Sequence, residues 1–232
     1  MLVDPGPESS VSTVLEAIGD ERPRALLLTH IHLDHAAATG ALVRRWPELE
    51  VYVHERGAPH LIDPAKLLAS AERLYGDRLG YLWGEILPVP EENVRVLSGG
   101  EAVLGMRVAY TPGHASHHVC YFHEETGTAF VGDLAAWSPQ RLALTHFGAI
   151  EEDVPAYIES VKAKLREEAD LARRMDEAAY NADLEARIRA ELASEGIAGD
   201  TVEEMLQAVP TAYQWAGLDR YWRKKAEREA VA

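Results

Sequence analysis

The run Ala25-Leu26-Leu27-Leu28 contains no polar residue and opens directly into Thr29-His30-Ile31-His32-Leu33-Asp34-His35. A short unbroken apolar run after Pro23 fits a strand that is covered on both faces. Such a strand needs a layer of helices or a second sheet on each side, so the chain is expected to be layered α/β. The polar cluster then falls just past the carboxyl end of a buried strand, where α/β proteins place their sites.

Residues 1 to about 150 continue this pattern, with short apolar runs separated by Gly/Pro turns and helical segments. Leu2-Val3 reads as the tail of a strand entering a turn over Asp4 to Pro7. His35 to Trp46 is predicted as one helix, 51–53 as a strand, and 64–75 as a helix with Leu67, Leu68, Ala71, Leu74 and Tyr75 on one face. Strands are predicted at 94–97, 103–110, 118–123 and 128–132, the last two joined by a hairpin loop at Glu124 to Gly127. Beyond 150 the pattern turns helical. Asp153 is placed to cap a helix carrying Tyr157, Ile158, Val161 and Leu165. Thr201-Val202-Glu203-Glu204 has the spacing of a capping box, and Pro210 interrupts before a final helix. The expected division is a core at 1–150, with a helical insertion at about 60–85, and a helical extension at 151–232 packed on that core or on a second subunit. The insertion carries Tyr75, Tyr81 and Trp83. These either wall a substrate pocket or serve as core.

Composition narrows the classes. The formal net charge of −15 repels phosphate backbones, which argues against nucleic acid as a partner. No apolar run reaches the ~20 residues that span a bilayer. The chain has one cysteine, Cys120, so it has no internal disulfide; it sits in an apolar strand pattern, where a thiol is buried and inert. With neither a basic start nor a long apolar stretch in MLVDPGPESS, the expected location is cytoplasmic.

All ten histidines fall between positions 30 and 146. In an extended segment residues two apart project to one side, so His30 and His32 can share a metal, while the turn that follows aims Asp34 and His35 at a neighbouring position. Imidazole with carboxylate suits Zn²⁺ and related divalent ions. One loop cannot close two metal sites, and further candidates stand at later strand ends. Thr111-Pro112-Gly113-His114 presents His114, Phe130-Val131-Gly132-Asp133 presents Asp133, and Leu144-Thr145-His146 presents His146. His117 and His118 follow closely; they are expected to be structural or exposed, the alternative being that one of them bonds a ligand of the site.

In this order THIHLDH, TPGH, VGD and LTHFG resemble the metallo-β-lactamase-fold superfamily of metal-dependent hydrolases, over roughly residues 1 to 150. The resemblance implies an αββα sandwich, here without the strands that usually precede the segment matching Leu2-Val3-Asp4-Pro5-Gly6, and with a helical C-terminal extension. It also implies His30, His32 and His114 on a first metal, Asp34, His35 and His146 on a second, and Asp133 bridging them. An aspartate at that bridging position is the pattern of the thioesterase, lactonase and glyoxalase II-like branches. The exposed sheet edge and the helical tail are the two surfaces through which a homo-oligomer is expected to form.

The function this implies is a binuclear hydrolase of a small thioester, lactone or other ester, with two divalent metals, Zn²⁺ first and Fe or Mn as alternatives. The nucleophile would be metal-bound hydroxide, with Asp34 orienting it or taking its proton. No Gly-x-Ser-x-Gly elbow is present to suggest a covalent route. The same residues are compatible with an iron-dependent sulfur dioxygenase or a catalytically silent metal-binding interaction module. β-Lactam hydrolysis is expected only as a minor activity.

Overall fold

Four parallel strands, β1 (Leu2–Val3), β2 (Ala25–Leu27), β3 (Glu50–His54) and β4 (Val94–Leu97), form one sheet in that order. A second sheet is ordered β10-β9-β8-β7-β6-β5, from β5 (Ala102–Val103), β6 (Met106–Tyr110), β7 (Val119–His123), β8 (Thr128–Phe130), β9 (Arg141–Leu144) and β10 (Gly148–Ile150). This computed structural model describes residues 1–112, 114–131, 141–144, 148–150, 152–208 and 211–229. It resolves into two units, Met1–Pro155 and Ala156–Ala232.

The alternation along β2 shows why that strand carries no polar residue. Leu26 and Leu28 face one core with Val51, Val53, Leu42 and Val43. These come from β3 and from helix α3 (Thr39–Arg45), with α1 (Val11–Ile18) adding Val11 and Leu15. Ala25 and Leu27 face the other way, into a core with Met106, Val108, Val119 and Tyr121 of the second sheet. The order helix, sheet, sheet is thus set by a strand apolar at every position. Two bonds stitch the sheets together at the end of β2: the Val119 amide donates to the Thr29 carbonyl (2.8 Å), and the buried Tyr121 hydroxyl to the Leu28 carbonyl (2.9 Å).

Three predicted elements differ in detail. The helix expected over 35–46 is two pieces, α2 (Leu33–Ala36) and α3. It breaks because the Ala38 amide donates to the Gly6 carbonyl (3.0 Å) instead of to the preceding turn. The strand expected over 103–110 is a hairpin of β5 and β6 folded at Leu104 (φ 52°) and Gly105 (φ 81°), the backbone a two-residue turn requires. The third difference lies in the helical unit.

The insertion forms α4 (Ala58–Ile62), α5 (Ala65–Tyr75) and α6 (Leu79–Trp83). Tyr75 and Trp83 stack edge to face at 5.2 Å within a small core that includes Leu33 and Ala37, so these two aromatics pack the fold, while Tyr81 is exposed. Among the described residues no helix is long and apolar enough to cross a membrane.

The second unit holds most of α7 (Val154–Arg174) and all of α8 (Glu177–Ser194), α9 (Gly199–Ala208) and α10 (Thr211–Glu229). Its core gathers Ala172, Tyr180 and Leu184 with Trp215 and Leu218. The buried Glu168 carboxylate accepts from the Tyr180 hydroxyl (2.8 Å) and from Arg187 (2.6 Å). α9 starts before the predicted capping box, since the Val202 amide already donates to the Ala198 carbonyl (3.1 Å), which leaves Thr201 inside the helix. Pro210 lies outside the described residues.

Candidate metal centre

β2 ends at Leu27, and the chain runs through Thr29 and His30 into α2, whose first residues are Leu33 and Asp34. Leu33 packs into the small core of the insertion, and Asp34 and His35 follow it around the short helix. His114 arrives from the other sheet, in the loop between β6 and β7. That loop is tied at its base by the Thr111 amide donating to the His118 carbonyl (3.0 Å).

The result is a convergence of three imidazoles. His30, His32 and His114 each offer a ring nitrogen, and these atoms lie within 4.8 Å of one another. His32 Nδ1 and His114 Nε2 face each other at 2.9 Å. His30 Nε2 is buried without a hydrogen-bond partner among the described residues. A buried polar atom left bare is rare and calls for an ion or a ligand. Burial, followed by the charge of neighbouring histidines, holds His30 far below the usual imidazole range and His32 down to about 4; burial likewise lowers His114. All three rings are therefore neutral at neutral pH, the form that donates a lone pair to a metal. This donor set fits a divalent metal.

Asp34 and His35 stand beside the triad. His35 Nε2 is 3.4 Å from Asp34 Oδ2, and the His35 ring centre is 4.0 Å from that of His30. Burial alone would lower His35, but hydrogen bonds to Asp34 and Asp4 outweigh it and raise it to about 9. Asp34 keeps 37% of its side chain exposed, so this half of the site opens to solvent. Asp133 and His146 lie outside the described residues.

The supporting residue that sequence patterns did not single out as part of the site is Asp4. It follows β1, whose parallel pairing sets Leu2 opposite Leu26 and Val3 opposite Leu27. Its backbone is left-handed (φ 44°), and its side chain is 3% exposed. Asp4 Oδ1 accepts from the Thr29 amide (2.8 Å); Oδ2 accepts from the Thr29 hydroxyl (2.7 Å) and from His35 Nδ1 (3.0 Å). Because the Thr29 hydroxyl gives its single proton to Asp4, it accepts from His30 Nδ1 at 3.0 Å. One carboxylate thereby fixes protons on Nδ1 of both His30 and His35; in neutral His30 this leaves Nε2 as the ligand atom, whereas His35, raised to about 9, also carries a proton on Nε2 toward Asp34 that a bound metal would displace. Asp4 was visible in the sequence only as the acid of a Pro/Gly turn.

His118 also belongs to this surrounding layer. It is buried, its Nδ1 lies 2.9 Å from the Thr111 hydroxyl, and its ring stacks on His30 at 5.1 Å. Cys120 is fully buried, with its sulfur 3.2 Å from the same hydroxyl.

Known proteins place this geometry. The chain is 30% identical over 128 residues to a hydroxyacylglutathione hydrolase of Salmonella paratyphi A, covering 53% of this chain and 38% of that protein. A second hydroxyacylglutathione hydrolase, from Gloeothece citriformis, is 28% identical over 171 residues, 71% of this chain and 53% of that one. The chain thus spans only part of the length of these relatives. Among solved structures, an archaeal metallo-β-lactamase superfamily protein from Sulfolobus tokodaii aligns at 24% identity with a TM-score of 0.51, over 65% of this chain and 71% of that one. A metallo-β-lactamase family protein from Thermus thermophilus aligns at 23% identity with a TM-score of 0.54, over 73% and 72%. These two likenesses concern the fold. The sequence pattern of the metallo-β-lactamase superfamily matches residues 1–180, more than three quarters of the chain, and the protein belongs to that superfamily.

Proposed function

We propose that this chain is a metal-dependent hydrolase of a small acyl thioester, using a two-metal site. The observation that carries the reading is the convergence of His30, His32 and His114 with Asp34 and His35 directly beside them. The name hydroxyacylglutathione hydrolase, carried by two relatives, supports a thioester over a lactone or simple ester.

In this reading His30, His32 and His114 hold one metal, and Asp34 and His35, with Asp133 and His146, hold a second. Bound divalent metals supply Lewis acidity and bring the pKa of water toward ~7. The remaining work falls to side chains. Asp4 and Thr29 hold protons on Nδ1 of His35 and His30, so that Nε2 is the atom each ring would offer to a metal. Asp34, with 37% of its side chain exposed, orients the attacking water and accepts its proton. The buried wall of His30 and His118 keeps bulk solvent from the far side of the site.

The test is metal content per chain combined with turnover of a panel of acyl thioesters and lactones. Two metals per chain and thioester turnover that Asp34→Ala abolishes, with the folded circular dichroism signal kept, is the expected result. Full turnover in Asp34→Ala, or a chain that binds no metal after reconstitution, removes the proposal. Iron with oxygen consumption and no hydrolysis would replace it with oxidation chemistry.

A further inference from the structure

The parallel strands carry the histidine site at their carboxyl ends, and their amino ends hold a second concave surface. The segment entering β2, the end of α3 and the start of β4 enclose a groove of about 930 Å³. Arg22, Arg24, Arg45 and Arg95 line it, together with Trp46 and two acids, Glu48 and Glu50. Arg24, Glu50 and Arg95 come from neighbouring strand starts at one end of the sheet. The Glu50 amide donates to the Arg24 carbonyl (3.1 Å), and Arg95 pairs with Tyr52 on the next strand. Arg24 lies one residue before the Ala25–Glu50 pair and Arg95 opposite Tyr52, so at ~4.8 Å between strands and ~3.3 Å per residue their backbones stand about 14 Å apart near the amino end of the sheet. Arg45, at the end of α3, lies over the Trp46 ring at 5.5 Å.

The charge here runs against that of the chain. Of the four guanidiniums, Arg95 is committed: it meets Glu50 at 2.9–3.0 Å and the carbonyls of Glu92 and Val94. Arg22, Arg24 and Arg45 have no ion pair among the described residues. A chain with 38 acidic residues and a net charge of −15 therefore sets three arginines against a single further acid, Glu48, in one concavity. Gathered in a groove they reinforce a local positive potential that a scattered surface would not have. The guanidinium fork matches phosphate oxygens two at a time. The groove volume lies within the ~300–1,000 Å³ usual for small-ligand sites. The geometry points to a binding site for a small polyanion bearing two or more adjacent phosphates. Four arginines against Glu48 and Glu50 leave two net positive charges, more than a monocarboxylate needs, and the acidity of the remaining chain opposes a long nucleic-acid backbone. The groove is separate from the histidine cluster: Arg24 and His30 stand six residues apart along a nearly extended run, roughly 20 Å.

The experiment is calorimetric titration of the metal-loaded full chain at ~0.15 M salt, with inorganic pyrophosphate in one arm and ADP in the other. One site is expected, tighter than ~1 mM. It should weaken at least tenfold in the double variant Arg24→Gln/Arg45→Gln and be unchanged in Asp34→Ala. Both arginines are exposed, so the variant should keep its melting temperature, and Arg22→Gln alone provides a milder check. Tighter binding of ADP assigns the site to a nucleotide-borne diphosphate; equal or tighter binding of pyrophosphate assigns it to the free anion. Absence of binding in both arms overturns the proposal. So does binding lost in Asp34→Ala but kept in the arginine variants, because that places the anion on the metals.

Discussion

Replacing Asp4 with Asn removes one charge from the site and none of the groups proposed to touch metal. Asn tolerates the left-handed backbone that Asp4 adopts, so the turn itself should survive. The amide oxygen still accepts from the Thr29 amide. The new amino group, however, stands where Oδ2 accepts from both the Thr29 hydroxyl and His35 Nδ1. His35 Nδ1 then meets a donor, and the charge-assisted bond lost there is worth about 1.5–3 kcal/mol. The Thr29 hydroxyl, now accepting from the amide, turns its proton toward His30 Nδ1 at 3.0 Å and favours the tautomer with Nε2 protonated. Both ligand nitrogens are affected by one change.

Loss of such an orienting partner costs roughly 10–100-fold in metal affinity, or about 1.4–2.7 kcal/mol. This matches the hydrogen-bond figure reached independently. The assay is competition for zinc against a chromophoric chelator, read as affinity and stoichiometry per chain, with a metal-free thermal melt alongside. Asp4→Asn should bind zinc at least tenfold more weakly. The metal-free protein should melt lower, by about 2–4 °C per kcal/mol lost in a chain of this size. Wild-type affinity and stoichiometry in Asp4→Asn would show that Asp4 does not set the tautomers, and the relay through Thr29 would have to be abandoned.

Two further expectations concern packing and charge elsewhere. A Cβ at Gly40 would collide with the backbone of Leu87, so Gly40→Ala should destabilise by about 1–3 kcal/mol in denaturant titration; no loss would mean that α3 and the 86–87 segment separate freely. Glu168 is held below the usual carboxylate range, first by its hydrogen bond to Arg187, against the opposing effect of burial, with help from Tyr180. A depressed carboxylate contributes stability that is complete above its unfolded pKa and lost as pH falls through the lower folded one. Glu168→Gln should therefore lower the melting temperature at neutral pH, with the gap from wild type closing in acid; a gap that is constant with pH would contradict the assignment.

The part of the site carried by one contiguous stretch was readable from sequence, since His30, His32, Asp34 and His35 follow an unmistakable strand. His114 was readable because Thr111-Pro112-Gly113 marks a turn at a strand end. The support was not. Asp4 reaches Thr29 only because β1 pairs in parallel with β2, a long-range register that no local pattern encodes. The hairpin at Leu104-Gly105 was hidden because Leu, an apolar residue, occupies a left-handed position usually given to Asn or Asp, and so prolongs a strand pattern. The division between α2 and α3 was hidden for a related reason. The run Ala36-Ala37-Ala38 favours continued helix, and only the Gly6 carbonyl, distant in sequence, diverts the Ala38 amide.

Placing the triad across two sheets has a mechanical consequence. His30 and His32 extend from β2 of the parallel sheet, and His114 from the loop between β6 and β7 of the other, so a metal held by all three ties the sheets together at their open ends. Among the described residues the protein ties there include the bonds of Val119 to Thr29 and of Tyr121 to Leu28 and Tyr52. An ion that binds the folded chain alone stabilises it by about 2.7 kcal/mol at a free concentration one hundred times its dissociation constant. At ~2–4 °C per kcal/mol, chelator-stripped protein should melt roughly 5–11 °C below the zinc-loaded form. His114→Ala should abolish most of that difference, because it removes the contribution of the second sheet while leaving the His30–His35 stretch intact. If stripped and loaded protein melt together, or if His114→Ala keeps the full metal-dependent gain, then the metal is held by the 30–35 loop alone and does not join the sheets.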